Sequence, residues 1–197
     1  MAYPSDRALE YQEILQSVSL KPDIADVAAL SLYRVADSLS LISKEQNTHT
    51  MILQWNPFDL SITVFNQERP TFNRHFQNDA MQNSFEHTTQ GEWVWTESEA
   101  ELEMHLEEQL NSLERFLDFY RYSVLDGQGS ISKIILTGAY PSLEDIQGRI
   151  MDRFEMDVEM LELPYGIDQA YSALYGLTLR DEKQVNGKTK KKRGRKK

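Results

Sequence analysis

Between Ser98 and Tyr122, apolar residues return at spacings of four, four, three, four and three: Leu102, Leu106, Leu110, Leu113, Leu117 and Tyr120. That pattern is one face of a long α-helix. Glu97, Glu99 and Glu101 crowd its beginning, while Arg115 and Arg121 lie toward its end, an order that suits the helix dipole. A helix with a single apolar stripe must bury it against another element. The rest of the chain therefore has to supply a surface of matching length.

That surface reads as a sheet. Thr50 to Trp55 and Leu60 to Phe65 are rich in apolar and β-branched residues, the second alternating apolar with polar. Asn66-Gln67 is expected at a hairpin tip, with Pro70 to Phe76 as the returning strand. Residues 77–98 are polar and weakly patterned, although Trp93 and Trp95, two apart, point to a short extended segment. Asp126 to Gly129 ends the long helix in a loop. Ile131 to Leu136 then reads as a buried strand, Pro141 to Phe154 as a helix, Val158 to Leu161 as a strand and Tyr165 to Leu179 as a closing helix. Strand, helix, strand, helix is the rhythm of a layered α/β domain. Two further helices precede the sheet. Residues 6–17 carry Ala8, Tyr11 and Leu15 on one stripe, with Leu9 and Ile14 also apolar. Asp26 to Ser38 resumes a helical pattern after the break at Lys21-Pro22.

The 197 residues carry a net charge of −10, which hides two opposed regions. From Lys183 onward there are nine Lys or Arg and no acidic residue; the first 182 residues keep the other 12 basic side chains and all 31 acidic ones, a net −19. Residues 1–182 are read as one globular domain, and residues 183–197 as a disordered basic tail that cannot build a core. An acidic body repels nucleic acid and anionic membranes. The tail residues Lys190, Lys191, Lys192, Arg193, Arg195, Lys196 and Lys197 are the candidates for contact with an anionic surface. No run of eighteen apolar residues occurs, the first residues lack the pattern of a signal peptide, and there is no cysteine. The expectation is a chain working in a reducing cytosol, without disulfide or thiol chemistry.

Signals for catalysis are poor. No GxxxxGK[ST] loop, GxGxxG or G-x-S-x-G elbow is present. His49, His75, His87 and His105 do not pair at metal-ligand spacing, so no metal is expected. The carboxylates of the long helix read as a solvated acidic face. One motif stands out: Ile134-Ile135-Leu136-Thr137-Gly138, a hydrophobic strand running into a glycine turn. Such a turn lets a backbone approach a ligand or another element closely. A plain strand-to-helix turn explains it equally well.

Residues 134–161 resemble, without a gap, the adenosine-side segment of actin-like ATPases of the PilM and FtsA type. There a strand ends in a Leu-Thr-Gly-Gly turn and is followed by a helix and a Pro-Val-Glu-like strand. Leu136, Thr137 and Gly138 match, as do Val158 and Glu159. Residues 171–180 are similar to the family's closing Gly-Leu-Ala-Leu-Arg helix, at Gly176, Leu177, Leu179 and Arg180. Residues 20–34 resemble the PilM turn and Ala-Leu-rich helix, residues 67–75 its Pro-x-Phe-x-Arg hairpin, and residues 115–120 the end of its long helix. The likeness covers most of residues 3–180. It implies a partial actin-like (ribonuclease H-like) ATPase fold, with a mixed sheet flanked by helices.

The departures bear on function. Where the family places an Asp-x-Gly phosphate motif, this chain reads Trp55-Asn56-Pro57. The missing Asp removes the group expected to organise Mg²⁺, and the missing Gly removes close backbone approach to phosphate. The second glycine after Leu-Thr-Gly has become Ala139, followed by Tyr140, so a bulky side chain is expected where adenosine would lie. Ser112 stands where a Glu commonly begins the last motif of the long helix. The family's N-terminal lobe and first phosphate loop are expected to be missing. Trp55, Asn56, Pro57, Gly138, Ala139 and Tyr140 are thus expected to form a degenerate nucleotide site. No cofactor is expected, ATP–Mg only if that site still works. The resemblance implies a non-catalytic adaptor on the cytoplasmic face of the cell membrane. It would bind a PilN-like inner-membrane protein and other components of a type IV pilus or related competence or secretion machine. The alternative is a nucleotide-dependent actin-like ATPase of the FtsA division type.

Overall fold

The computed structural model describes residues 5–22, 25–45, 47–78, 81 and 83–180. Helices α1 (Ser5–Ser17) and α2 (Ala28–Ser38) precede a meander of strands β1 (His49–Trp55), β2 (Asp59–Asn66) and β3 (Arg69–Gln77). A small hairpin, β4 (Phe85–His87) with β5 (Trp93–Trp95), leads to the long helix α3 (Glu99–Phe119). Then follow β6 (Ile131–Thr137), α4 (Leu143–Phe154), β7 (Val158–Met160) and α5 (Ser172–Thr178). The main sheet has the order β3-β2-β1-β6-β7. The first three strands pair antiparallel, whereas β6 and β7 run parallel to β1, giving a mixed sheet. The α3 connection makes this possible, because parallel neighbours need a crossover long enough to return the chain to the same end.

Side chains alternate across a strand, so each central strand feeds two cores. Met51, Leu53 and Trp55 of β1, with Leu60, Ile62, Val64, Ile134 and Leu136, face α3 and α4. Their partners are Leu106, Leu110, Leu113 and Phe116 from α3 and Leu143, Ile146 and Ile150 from α4. Ile52, Phe65 and Ile135 face the other way, onto Leu32, Val35 and Ala36 of α2 and onto Leu161 and Leu163. The sheet is thus sandwiched, with α3 and α4 on one side and α2 and α5 on the other. The leucine stripe behaves as expected: Leu106, Leu110, Leu113 and Tyr120 are buried, and Leu102 and Leu117 partly so.

Local chemistry sets the ends. Ser98 caps α3 by a reciprocal box, its hydroxyl accepting from Glu101 N while the Glu101 carboxylate accepts from Ser98 N. At its far end α3 passes into a π turn, Tyr120–Val124, where the Tyr120 hydroxyl lies 2.9 Å from both His49 Nδ1 and Thr71 Oγ1. Helices α3 and α4 are tied by Arg149 to Glu103 and by Arg153 to Glu107 and Glu114.

Three expectations need correction. Tyr165 to Leu179 is not one helix but two 3₁₀ turns, Pro164–Gly166 and Gln169–Tyr171, followed by the short α5. Tyr165 and Gly166 sit at φ 64° and 67°, outside the helical region, and the Asp168 carboxylate accepts from Ala170 N to start the second turn afresh. The hairpin tip is Gln67-Glu68 rather than Asn66-Gln67, since Asn66 still pairs with Arg69 and Gln67 adopts φ 55°. Helix α2 begins at Ala28, two residues later than expected, because the Asp26 carboxylate accepts from Val27 N and pairs with Arg34. Among the described residues no helix is long and apolar enough to cross a membrane.

Candidate functional site

Strands β1 and β6 run side by side in parallel, with Gln54 opposite Thr137, so both end at the same edge of the fold. This brings Trp55, Asn56 and Pro57, in the β1–β2 turn, against Gly138, Ala139 and Tyr140, in the β6–α4 turn. In open α/β sheets, the crevice beyond the carboxyl ends of the strands, where strand order reverses, is the usual ligand position. All six residues expected to form one site from sequence are therefore gathered in one place.

Asn56 is the crosspiece of this junction. Its backbone N–H donates to the Asp59 carbonyl at 2.9 Å, and its Nδ2 donates to the Asp59 carboxylate at 3.0 Å. Its Oδ1 accepts from the Ala139 backbone N–H at 3.0 Å. One carboxamide thereby closes the hairpin turn and fastens it to the neighbouring turn. Gly138, at φ 139°, is packed directly on Trp55: a Cβ there would lie 1.9 Å from the Trp55 carbonyl oxygen. The next N–H, of Tyr140, donates to that same oxygen at 3.3 Å. Of the two readings of this glycine turn, close approach applies, and the approached group is the β1 backbone.

The side chains expected to line a cleft do otherwise. Tyr140 does not project into open space. Its ring is buried edge-to-face against Trp55 and Phe85, and burial pushes its hydroxyl up to about 12. Trp55 is wholly buried on the α3 side, and Pro57 is buried in the turn. The residue that sequence reasoning passed over is Gln54. Strand alternation turns it, with Ile52, to the opposite face, where both line an open cavity of roughly 1090 Å³. The sheet floor of that cavity is polar, adding Ser61, Thr63, Asn73 and His75, and α1 and the start of α2 form its walls. Ser61 Oγ lies 2.8 Å from His75 Nδ1, and Asn73 Nδ2 donates to Thr63 Oγ1 at 2.7 Å. The period-two pattern of β1 carried this signal: the last polar position on the Ile52 face is Gln54.

The four histidines stay apart, each with its own partners. His49 bonds Tyr120, His75 bonds Ser61, His87 stacks on Trp93, and His105 lies between Asn78 and Gln109. A neutral imidazole has one acceptor nitrogen. Asn78 Nδ2 lies 3.1 Å from His105 Nδ1 and Gln109 Nε2 lies 2.8 Å from its Nε2, so one of the two carboxamides donates to the ring and the other accepts from it. The tail candidates Lys190, Lys191, Lys192, Arg193, Arg195, Lys196 and Lys197 lie outside the described residues. Ser112 sits on α3 and accepts from Arg115, away from the junction.

Strand order, crossovers and the double helix layer together define the fold of the actin-like ATPases. The archaeal actin homologue Ta0583 superposes with a TM-score of 0.52 at 13% identity, over 84% of this chain and 57% of its own. MreB5 of Spiroplasma citri, solved bound to AMPPNP, does so at 0.58 and 9% identity, over 96% and 68%. Within that fold the chain is similar to a chain of the PilM–PilN type IV pilus biogenesis complex, with a TM-score of 0.66 at 19% identity over 88% of its residues. It spans 57% of that chain's length. No protein-family model matches the sequence, and no curated protein does.

Proposed function

We propose that this chain is a non-catalytic scaffold of a type IV pilus, or related competence or secretion, assembly machine. In this reading it works on the cytoplasmic face of the membrane by binding a PilN-like partner. The observation that carries the reading is the likeness to a chain of the PilM–PilN complex over 88% of this chain. The junction chemistry supports the absence of catalysis. Gln54 and Asn56, the polar side chains at the end of β1, are neutral carboxamides, whereas Mg²⁺ held against phosphates is normally bound through carboxylates. Asp59, the carboxylate bonded into this turn, is engaged by Asn56. The Ala139 N–H of the glycine turn is taken by Asn56 Oδ1.

Isothermal titration tests this with two ligands on one sample: ATP–Mg²⁺, and a peptide of the cytoplasmic tail of a PilN-like protein. The expected result is no heat at millimolar nucleotide and saturable binding of the tail. The second reading, a nucleotide-dependent actin-like ATPase, draws on the likeness to MreB5, a protein solved with AMPPNP. Nucleotide binding without a response to the tail would place that reading first.

A further inference from the structure

Among the described residues, strand β3 has a strand neighbour on one side only, although it is nine residues long. An edge of that length offers a row of backbone donors and acceptors to another extended chain, which natural proteins normally shorten, bulge or cover. Pro70 blunts only its start, beside the irregularity in pairing at Val64/Phe65. From Thr71 onward the edge carries no proline.

Helix α3 runs alongside this edge. Phe72 packs on Phe116 and Phe119, with ring centroids 5.5 Å apart in both pairs. Arg74, Phe76, Ser112, Arg115, Phe116 and Phe119 line a groove of roughly 280 Å³ between strand and helix. A further strand would lie about 4.8 Å outside β3 and would set every second side chain over this groove. The Arg74 guanidinium lies over the Phe76 ring, 4.9 Å from its centroid, and Arg115 donates to Ser112 Oγ at 3.0 Å. Among the described residues neither makes an ion pair, whereas Arg34, Arg149, Arg153 and Arg180 all do. Glu114, next to Arg115 in sequence, is held by Arg153. In a body of net charge −19, this is a place where positive charge is left over beside an exposed aromatic ring, Phe119.

We propose that the β3 edge takes an extended, acidic segment of a partner protein as a sixth strand. Its carboxylates meet Arg74 and Arg115, and an apolar side chain rests against Phe76 and Phe119. Backbone bonds supply affinity and the groove supplies selection, the division of labour of strand addition. A second copy of this chain is the wrong occupant: its own β3, Arg69–Gln77, carries Arg69 and Arg74 and no carboxylate to offer this groove. The basic tail of residues 183–197 is excluded for the same reason. This surface is separate from the junction at Asn56 and does not depend on the pilus reading.

The probe is a fluorescein-labelled octapeptide of alternating glutamate and valine with one central glutamate replaced by phenylalanine, so that ring and carboxylates share the face over the groove, followed by anisotropy. Saturable binding is expected, weakened about tenfold by the pair Arg74→Glu and Arg115→Glu. Replacing the glutamates by lysine should remove it. Methylating one alternate set of peptide amides should abolish it, and methylating the other set should leave it, because only one edge of the added strand faces β3. These peptide-side changes leave the protein untouched, and unchanged circular dichroism checks the arginine variants. No binding up to about 1 mM overturns the proposal, as does binding indifferent to both methylation sets or to the arginine pair. A dimer in sedimentation that Arg74→Glu dissociates would assign the edge to a second copy instead and also overturn it.

Discussion

A Cβ on Gly138 would meet the Trp55 carbonyl oxygen at 1.9 Å, and one on Gly176 would meet the Ser31 carbonyl oxygen at 2.0 Å. The first lies where β6 touches β1, the second where α5 touches α2, whose Arg34 Nε donates to the Gly176 carbonyl at 3.0 Å. Backbone cannot yield as a flexible side chain can, so Gly138→Ala and Gly176→Ala should each cost about 2 kcal/mol or more in urea unfolding. Gly148, inside α4, has nothing within 4 Å of where a Cβ would stand. Gly148→Ala should therefore raise stability by about 0.5–1 kcal/mol in the same assay, through a less mobile unfolded chain. Asn56→Ala leaves the Ala139 N–H and the Asp59 carboxylate without their partner and should cost about 1–3 kcal/mol.

Helix α3 carries two further predictions. Ser98→Ala removes half of the capping box and should lower stability by about 1 kcal/mol. His105 on α3 and His49 at the start of β1 are both held below the usual 6.5 by burial. Above that value both states are neutral and stability is unaffected. As pH falls below it, the unfolded chain takes up protons first, so stability drops until the folded pKa values are reached. The urea midpoint should thus decline as pH falls below 6.5, and the pair His49→Gln and His105→Gln should flatten that decline. The elements themselves were largely legible, because α3 and α4 bury one apolar stripe each, and β1, β2 and β6 are short apolar runs buried on both faces. The closing segment was not: its apolar residues keep a helical spacing, and it is the left-handed backbone at Tyr165 and Gly166, followed by extended backbone at Ile167 and Asp168, that breaks it. At the junction, the motif comparison pointed to two turns that the parallel pairing of β1 and β6 brings together. It could not tell which side chains face the cavity, since that depends on the pleat of β1, which sends Trp55 inward and Gln54 outward. The role of Asn56 was illegible because its donor partner, the Ala139 N–H, is 83 residues away.

At the scale of the molecule, the opposition of charge is the dominant feature outside the core. Deleting residues 183–197 should leave the urea midpoint of the body unchanged, because the two cores are built from earlier residues. The same deletion should abolish co-sedimentation with vesicles containing anionic lipid, which the full chain is expected to show at low salt and not with neutral vesicles. The fit of Gly138 on Trp55 carries a consequence for how such a chain diverges. Any replacement there is removed through loss of folded protein, whether or not a nucleotide is ever bound. A Leu-Thr-Gly turn should therefore outlast the chemistry for which the motif is known, persisting through drift that erases the acidic and phosphate-binding positions around it. In lineages with this fold, retention of that glycine alone marks an inherited joint between two strands, and inheritance of ATPase activity has to be judged at other positions.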